Sequence, residues 1–412
     1  MKGSGTFMRK IFIGAAIILL AVLYLQMPVW AKGKFKSKSL RVMTRNLYIG
    51  AEIQSIAAAG SFAEFLFLAN EALVKVAETN FPERARALAK EIVRNKPHLV
   101  GLQEVYNITL NGINPPGVLP YVDYLDELLK ALNEQGAHYY PAATVTNFSM
   151  DISFPSGDPT SSTIVNLGIT DRDVILARRD VQTKVVDMVS TGVCPDRVSD
   201  DGCNYAYFAG TVIPGGDAAP DIPIEIKRGF VAVDAKHRSL SARFYNTHLE
   251  VRYPDPTNIL SITIQAAQAS ELIQVIDFLE EVSPHKGPVI LVGDINSSPE
   301  DEVIGEGMED SFRIDPPYWQ FSMAGYTDAW TVWNWKWEGF TCCQAEDLLN
   351  RRSELYERID MVLLRDFPFK TVLAYRVGDR WWNKTPSGLW PSDHAGVVAT
   401  MWYWPHKWWK KK

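Results

Sequence analysis

From residue 39 onward, short apolar runs alternate with segments of helical periodicity. "LRVMTRNLYIG" reads as a strand that ends at Asn46. "PERARALAKEIVRNKP" repeats its apolar residues at helical spacing and closes on Pro97, so it predicts an amphipathic helix. "HLVGLQEV" is an apolar strand ending on Glu104, and "YVDYLDELLKALNEQG" predicts a second amphipathic helix stopped by Gly136. "DVILARRD", "RGFVAVDAKH" and "SARFYNTHLEV" read as strands, the last two joined by a polar hairpin. Leu260 to Glu281 carries the longest helical pattern. "GPVILVGDIN", "RIDMVLLRD", "KTVLAYRVG" and "AGVVATMWYW" predict further strands. Helices and strands interleaved with hairpins indicate an α/β sandwich rather than an all-parallel sheet. Polar stretches near 147–170 and 192–225 read as long surface loops, which are uncommon unless they bind something or move. No linker interrupts residues 39–405, so one domain is expected there.

The ends carry a different pattern. Lys2, Arg9 and Lys10 precede "IFIGAAIILLAVLYLQMPVW", and Val29-Trp30-Ala31 offers a small-x-small cleavage pattern. Residues 1–31 are therefore expected to be a signal peptide, which would make the protein secreted or periplasmic. The alternative is a membrane anchor over residues 11–30, since the run is long enough to span a bilayer. Lys32, Lys34, Lys36 and Lys38 follow the run and resist translocation, against both readings. Residues 406–412 form a basic aromatic tail.

Composition narrows the partners. The 412 residues carry a net charge of −6, so there is no overall basic excess of the kind that favours nucleic acid. Four cysteines fit an oxidising compartment, with three pairings open for Cys194, Cys203, Cys342 and Cys343. Neither a CxxC nor a His partner pattern surrounds them, which argues against zinc.

Several predicted strands end in residues suited to binding a cation or phosphate, or to moving a proton. These are Asn46, Glu104, the pair Asn246 and His248, and the pair Asp294 and Asn296 in "VILVGDINSSPED". Asp360 lies inside "RIDMVLL", and Asp393-His394 lies in "PSDHAGV" before the last strand. Each has a plainer explanation. Asp-x-Asn is a common turn, Asp360 has Arg358 beside it to pair with, and Ser-Asp-His is an ordinary polar turn. A calcium loop at Asp294 fails, because Pro299 and Gly305 stand where such a loop needs glycine and glutamate. Taken together, the set matches one chemistry. Hard divalent cations need oxygen ligands, which Glu104, Asp393 and Asn46 offer. Phosphoester cleavage needs an activated water, donors to the phosphate oxygens and relief of charge on the leaving oxygen. His248 and His394 suit proton transfer or donation to phosphate, and Asp360 is a candidate to orient a base histidine.

In chain order, "TRNL", "GLQEV", "NTHLE", "GDINSSP", "GYTDAW", "RIDMVL" and "SDHAGV" resemble the endonuclease/exonuclease/phosphatase superfamily of metal-dependent phosphoesterases. That superfamily includes pancreatic-type deoxyribonuclease, abasic-site endonucleases, inositol-polyphosphate phosphatases and neutral sphingomyelinases. The resemblance implies a four-layer α/β sandwich, with two central mixed β-sheets flanked by helices and the site at one edge. It further implies that Glu104 is the principal metal ligand with Asn46 beside it, and that Asp393 is a second metal-associated carboxylate. Asp294 would contact the attacking water or the cation, Asn296 and His248 would hold phosphate oxygens, and His394 would be a base or electrostatic partner oriented by Asp360. Asp328 in "GYTDAW" takes a structural position. The implied cofactor is Mg2+, with Mn2+ or Ca2+ as alternatives.

Three functions follow as expectations. The first is an exported, monomeric phosphodiesterase acting on a phospholipid headgroup, touching the membrane through Trp381 and Trp382, as the aromatic hairpin tip of bacterial sphingomyelinases does. The plainer role of that pair is packing on the adjacent core. The second is an exported nuclease, with Arg45, Arg172, Arg178, Arg228 and Arg252 as candidates for a basic groove. The third is a catalytically inactive membrane-binding module. "WEGFTCCQAEDLLNRRSELYERID" departs from the sphingomyelinase branch and is similar to a group of exported bacterial members of the superfamily.

Overall fold

In the computed structural model of the chain, the described residues are 38–111, 121–155, 164–215, 221–252, 259–305, 313–334, 336–366 and 372–403. The expected signal segment and basic tail lie outside them. Ser39–Trp402 form one compact unit.

The first sheet holds β1 (Lys38–Asn46), β2 (Leu99–Gln103), β3 (Asn107–Asn111), β4 (Tyr121–Asp123), β5 (Tyr139–Pro155) and β6 (Ile164–Arg178). The second holds β7 (Gln182–Val185), β8 (Val198–Ser199) and β9 (Gly202–Asn204). A separate hairpin, β10 (Ala209–Ile213) and β11 (Ile222–Ile226), comes next. The second sheet continues with β12 (Gly229–His237), β13 (Leu240–His248), β14 (Val289–Asp294), β15 (Thr327–Asp328) and β16 (Asp360–Arg365). The first is completed by β17 (Val372–Val377) and β18 (Gly396–Tyr403). Strand order is β17-β18-β1-β2-β6-β3-β4 in one, with β5 along β6, and β15-β16-β14-β13-β12-β9-β8 in the other, with β7 along β12.

Strands β2 and β14 are buried at every position, so each needs cover on both faces. Helices supply the outer cover. On the first sheet these are α1 (Gln54–Ala57), α2 (Phe62–Glu78), α3 (Phe81–Asn95) and α4 (Tyr124–Glu134). Phe65, Leu88, Ile92 and Leu128 there share a core with Val100, Leu102, Leu176 and Val398. On the second sheet lie α5 (Ile259–Val282) and α6 (Pro317–Met323), while the short α7 (Ala329–Asn334) touches both β17 of the first sheet and β15 and β16 of the second. Leu272, Ile276 and Leu279 of α5, with Phe321 of α6, pack on Phe230, Val289 and Leu291. The result is the expected four layers, helices outside and two mixed sheets within.

Below the site the contact between the sheets includes a buried polar clasp. Asn246, fully buried on β13, donates from Nδ2 to the carbonyls of Leu102 (2.9 Å) and Val174 (3.3 Å) in the opposite sheet. Gln103 Nε2 returns a bond of 2.6 Å to Asn246 Oδ1. The approach is close because β2 has Gly101 there. A Cβ on it would stand 2.4 Å from Val292 Cγ2 and 2.5 Å from Asn246 Oδ1. Asn246 shares a strand face with His248, as its spacing predicted, but it serves this clasp below the site.

Some expectations need correction. The stretch near 147–170 is no loop where it is described. It belongs to the long β5–β6 hairpin, whose ladder runs from Tyr139↔Arg178 to Pro155↔Ile164. Likewise 192–225 carries β8 to β11, because the disulfide Cys194–Cys203 and local pairing order it. The second disulfide joins Cys342 and Cys343. Tyr121–Asp123 begin as strand, and the helix starts only at Tyr124, where Asp123 caps the amides of Leu125 and Asp126. Helix α2, capped by Ser61, had no counterpart in the sequence reading.

Replacing Gly101 by alanine forces a methyl into Asn246 and Val292. Such overpacking costs about 1–3 kcal/mol. Gly101→Ala is expected to lower the urea midpoint with little change in m-value, and an unchanged midpoint would remove the close-approach argument.

Candidate active site

The register of the second sheet brings three predicted residues side by side. His248, Asp294 and Asp360 are direct partners across β13, β14 and β16. All three are buried. His248 Nε2 lies 3.6 Å from Asp294 Oδ2. From the first sheet, Asn46 at the end of β1 reaches across and donates from Nδ2 to Asp294 Oδ2 at 3.1 Å. The same amide nitrogen bonds Glu104 Oε1 at 2.9 Å. Glu104 follows β2 in a left-handed conformation (φ 55°), which turns its carboxylate to accept the Ile49 amide at 2.9 Å.

The loop before β18 closes the ring. His394 Nδ1 pairs with Asp360 Oδ2 at 2.8 Å, while Nε2 faces Asp294 Oδ2 at 3.8 Å and Asp393 Oδ1 at 3.9 Å. The loop is held from below. Ser392 Oγ donates to the Asn46 carbonyl at 2.9 Å, and Arg45, buried against Glu91, donates to the His394 carbonyl. Arg84, also buried, donates to the carbonyls of Leu47, Tyr48 and Pro391. Thr341 Oγ1 accepts the amides of Ile359 and Asp360, and Gln344 N bonds the Asp393 carbonyl.

Charge is the dominant feature. Four carboxylates, from Glu104, Asp294, Asp360 and Asp393, converge in this space. Burial, with the charge of Asp393, raises the Glu104 carboxyl above its ordinary range. Burial pushes Asp294 up to about 7 and raises Asp393 as well. Burial alone would lower His394, but Asp360, Asp393 and Asp294 outweigh it and hold the ring well above the usual imidazole value. His248 is lowered, by burial and then by Arg228 and His394. Glu104 and Asp393 are only half-buried, so their oxygens open to the cleft. Crowded, partly open carboxylates of this kind fit a hard divalent cation, which takes oxygen ligands and cancels their repulsion.

All eight predicted catalytic and metal residues thus gather around one cleft, with two departures in detail, at Asn46 and Asn296. Asn46 turns its nitrogen to the carboxylates, and its Oδ1 accepts the Tyr48 amide at 2.9 Å. It therefore bridges Glu104 and Asp294 as a donor and presents no oxygen to a cation. Asn296 does not continue the strand. It has φ 48°, its backbone amide caps Asp294 Oδ1 at 3.0 Å, and one side-chain N–H goes to the Leu249 carbonyl at 2.9 Å. The tight turn after β14 was visible in "GDINSSP", yet its αL residue was not. Asp360 does not pair with Arg358, which binds Asp328 instead. Arg228, offered as a groove residue, lies largely buried with its guanidinium against His248. Thr341 and Ser392 were missed as positioning groups; Ser392 lies within the quoted "SDHAGV" run, whereas Thr341 has no sequence signal, because it acts through one hydroxyl. Trp381 and Trp382 stand in a short 3-10 turn, exposed by 73% and 57%.

A model of the Endonuclease/Exonuclease/phosphatase family matches residues 74–394. No curated protein sequence matches the chain. Among solved structures, truncated Caenorhabditis elegans TDP2 is similar at 14% identity and TM-score 0.43, covering 89% of this chain and 98% of its own. A family protein from Bacteroides thetaiotaomicron has 15% identity and TM-score 0.42, covering 90% and 100%. One from Beutenbergia cavernae has 18% identity and TM-score 0.44, covering 88% and 71%.

Removing one of the crowded charges relieves repulsion that only a cation otherwise relieves. Glu104→Gln is expected to raise the Tm of metal-free protein and to abolish the further rise that added Mg2+ produces in the wild type. A variant that still gains the full Mg2+ increment would take Glu104 out of the cation site.

Proposed function

This chain belongs to the endonuclease/exonuclease/phosphatase family, and on that premise we propose that it is an exported, metal-dependent phosphodiesterase acting on phospholipid headgroups. Members of this family are typically metal-dependent phosphoesterases. The observation that carries the chemistry is the convergence of Asp294 with His248, His394, Asn46 and Glu104 at the end of the two sheets.

Glu104 and Asp393 are the oxygens that would hold a divalent cation, Mg2+ in this reading. Such an ion neutralises charge on the phosphate and lowers the pKa of water. Asp294 takes the proton of the attacking water. It is oriented for this by Asn46 and by the Asn296 amide, and its carboxyl is pushed up to about 7, suited to proton transfer near neutrality. His394, locked by Asp360, presents Nε2 to the same space and stabilises negative charge there. His248 Nε2 and the second N–H of Asn296 donate to phosphate oxygens. Asp360 holds His394 and touches no substrate.

The lipid substrate rests on Trp381 and Trp382. Indoles favour the membrane interface, and this pair projects from the connection between β17 and β18, whose far end carries Asp393 and His394. The nuclease reading has less support, because the arginines offered for its groove are engaged. Arg45 pairs with Glu91, Arg172 with Asp123, Arg178 with Asp180, Arg228 with Asp171, and Arg252 with Asp301. Export remains part of this reading through the apolar N-terminal run and the paired cysteines.

The test is a set of three assays on purified protein with Mg2+: headgroup release from sphingomyelin and phosphatidylcholine vesicles, nicking of supercoiled plasmid, and binding without turnover. Headgroup release is expected. Glu104→Ala and His394→Ala are expected to lose about 10²-fold or more while keeping their fold. Trp381→Ser with Trp382→Ser should slow vesicle hydrolysis and leave a soluble short-chain substrate unaffected. Nicking alone would transfer the assignment to nucleic acid, and binding without hydrolysis would make the chain an inactive module.

A further inference from the structure

The two site imidazoles are held in opposite ways. His394 gives its Nδ1 to a carboxylate, Asp360. His248 Nδ1 faces Arg228 Nη1 at 3.2 Å, and its Nε2 faces Asp294 Oδ2 at 3.6 Å. A guanidinium has five N–H donors and no acceptor. The nitrogen it faces must therefore offer a lone pair, and the one proton of a neutral ring then sits on the other nitrogen. Asp294, an acceptor, stands on the side where that proton would be.

Arg228 is itself fixed in place. It is largely buried just before β12, with Nη1 3.7 Å from Asp171 Oδ2 on β6 and Nη2 3.8 Å from Glu250 Oε1 just after β13. The two anchors come from different sheets, so the guanidinium cannot swing away from His248 without breaking an ion pair. Burial would lower its pKa, but Glu250 and Asp171 more than offset this and keep it charged. A fixed positive charge beside Nδ1 opposes a second proton on the ring, consistent with the depressed pKa of His248.

We propose that Arg228 is a positioning residue that keeps His248 neutral, with its proton on Nε2, so that His248 donates a hydrogen bond to the substrate phosphate and passes no proton to the leaving group. The role in turnover rests on the phosphodiesterase reading; the state of the ring does not. A neutral imidazole holds its remaining proton too tightly to act as an acid near neutral pH. The leaving oxygen then takes its proton from solvent water. His248 and His394 thereby divide the work: one supplies a neutral donor, the other a charged ring.

The experiment is NMR of protein labelled with 15N-histidine at pH 7. The chain has 7 histidines, and His248→Gln identifies the resonance by its loss. The wild type is expected to show protonated Nε2 and bare Nδ1 at His248. Arg228→Lys, which still can only donate, is expected to keep that signature. Arg228→Met is expected to gain a proton at Nδ1, because Asp171 and Glu250 lose their cation beside it. A proton on Nδ1 in the wild type overturns the proposal, as does an unchanged ring in folded Arg228→Met. If the methionine variant does not fold, the wild-type and lysine spectra decide. These readouts need no turnover, so they stand apart from failure of the enzymatic reading. In the kinetic arm, His248→Gln keeps a donor and is expected to stay within about tenfold of wild-type kcat, whereas His248→Ala loses about 10²–10³-fold. Equal losses in the two variants would remove the donor role.

Discussion

The clasp at Asn246 is the constraint on which the site depends. The cleft takes Asn46 and Glu104 from one sheet and His248, Asp294 and Asp360 from the other, so it exists only while the sheets keep one spacing and register. Apolar faces alone are tolerant of small slides, since dispersion and area burial have little directionality. A buried amide bonding two carbonyls of the opposite sheet is not tolerant, because any slide leaves polar groups unpaired at a cost of about 1–3 kcal/mol each. Gly101 makes the clasp possible by removing the side chain that would stand in its way.

The second constraint is electrostatic. Four carboxylates crowd one partly desolvated space, an arrangement that destabilises the folded chain on its own. The molecule answers with a backbone held from behind. Arg45 and Arg84 are fully buried, yet they donate mainly to carbonyls of the loops that carry the site and do not neutralise the carboxylates directly. The repulsion therefore remains available to bind a cation. Stability and affinity are opposed here, as is common where function needs strained electrostatics.

Imidazole chemistry shows the same economy of means. His248 and His394 lie on either side of Asp294, and each receives its character from the partner at Nδ1: a guanidinium for one, a carboxylate for the other. In the proposed mechanism neither partner contacts the substrate; each acts through the imidazole it holds. Residues of this kind carry function through orientation, and their identity matters as much as that of the groups they hold.

Much of this was legible along the chain. Period-2 and period-3.6 patterns located the core strands and three of the four long helices, α3, α4 and α5 but not α2, because burial of one face leaves its mark on every second or every third to fourth residue. The site residues were legible because each sits at a strand end, where the apolar pattern breaks abruptly. The long β5–β6 hairpin was not, since one edge of it is polar and its pattern mimics a loop. Nor were the αL turns at Glu104 and Asn296, the nitrogen-first orientation of Asn46, the pairing of Arg358 with Asp328 or the anchoring of Arg228. Those depend on partners distant in sequence. The order of residues determined which groups were present and which strands would carry them. Only the packing of one sheet on the other decided which atom of each group faces the cleft, because that choice is made by neighbours the local chain never sees.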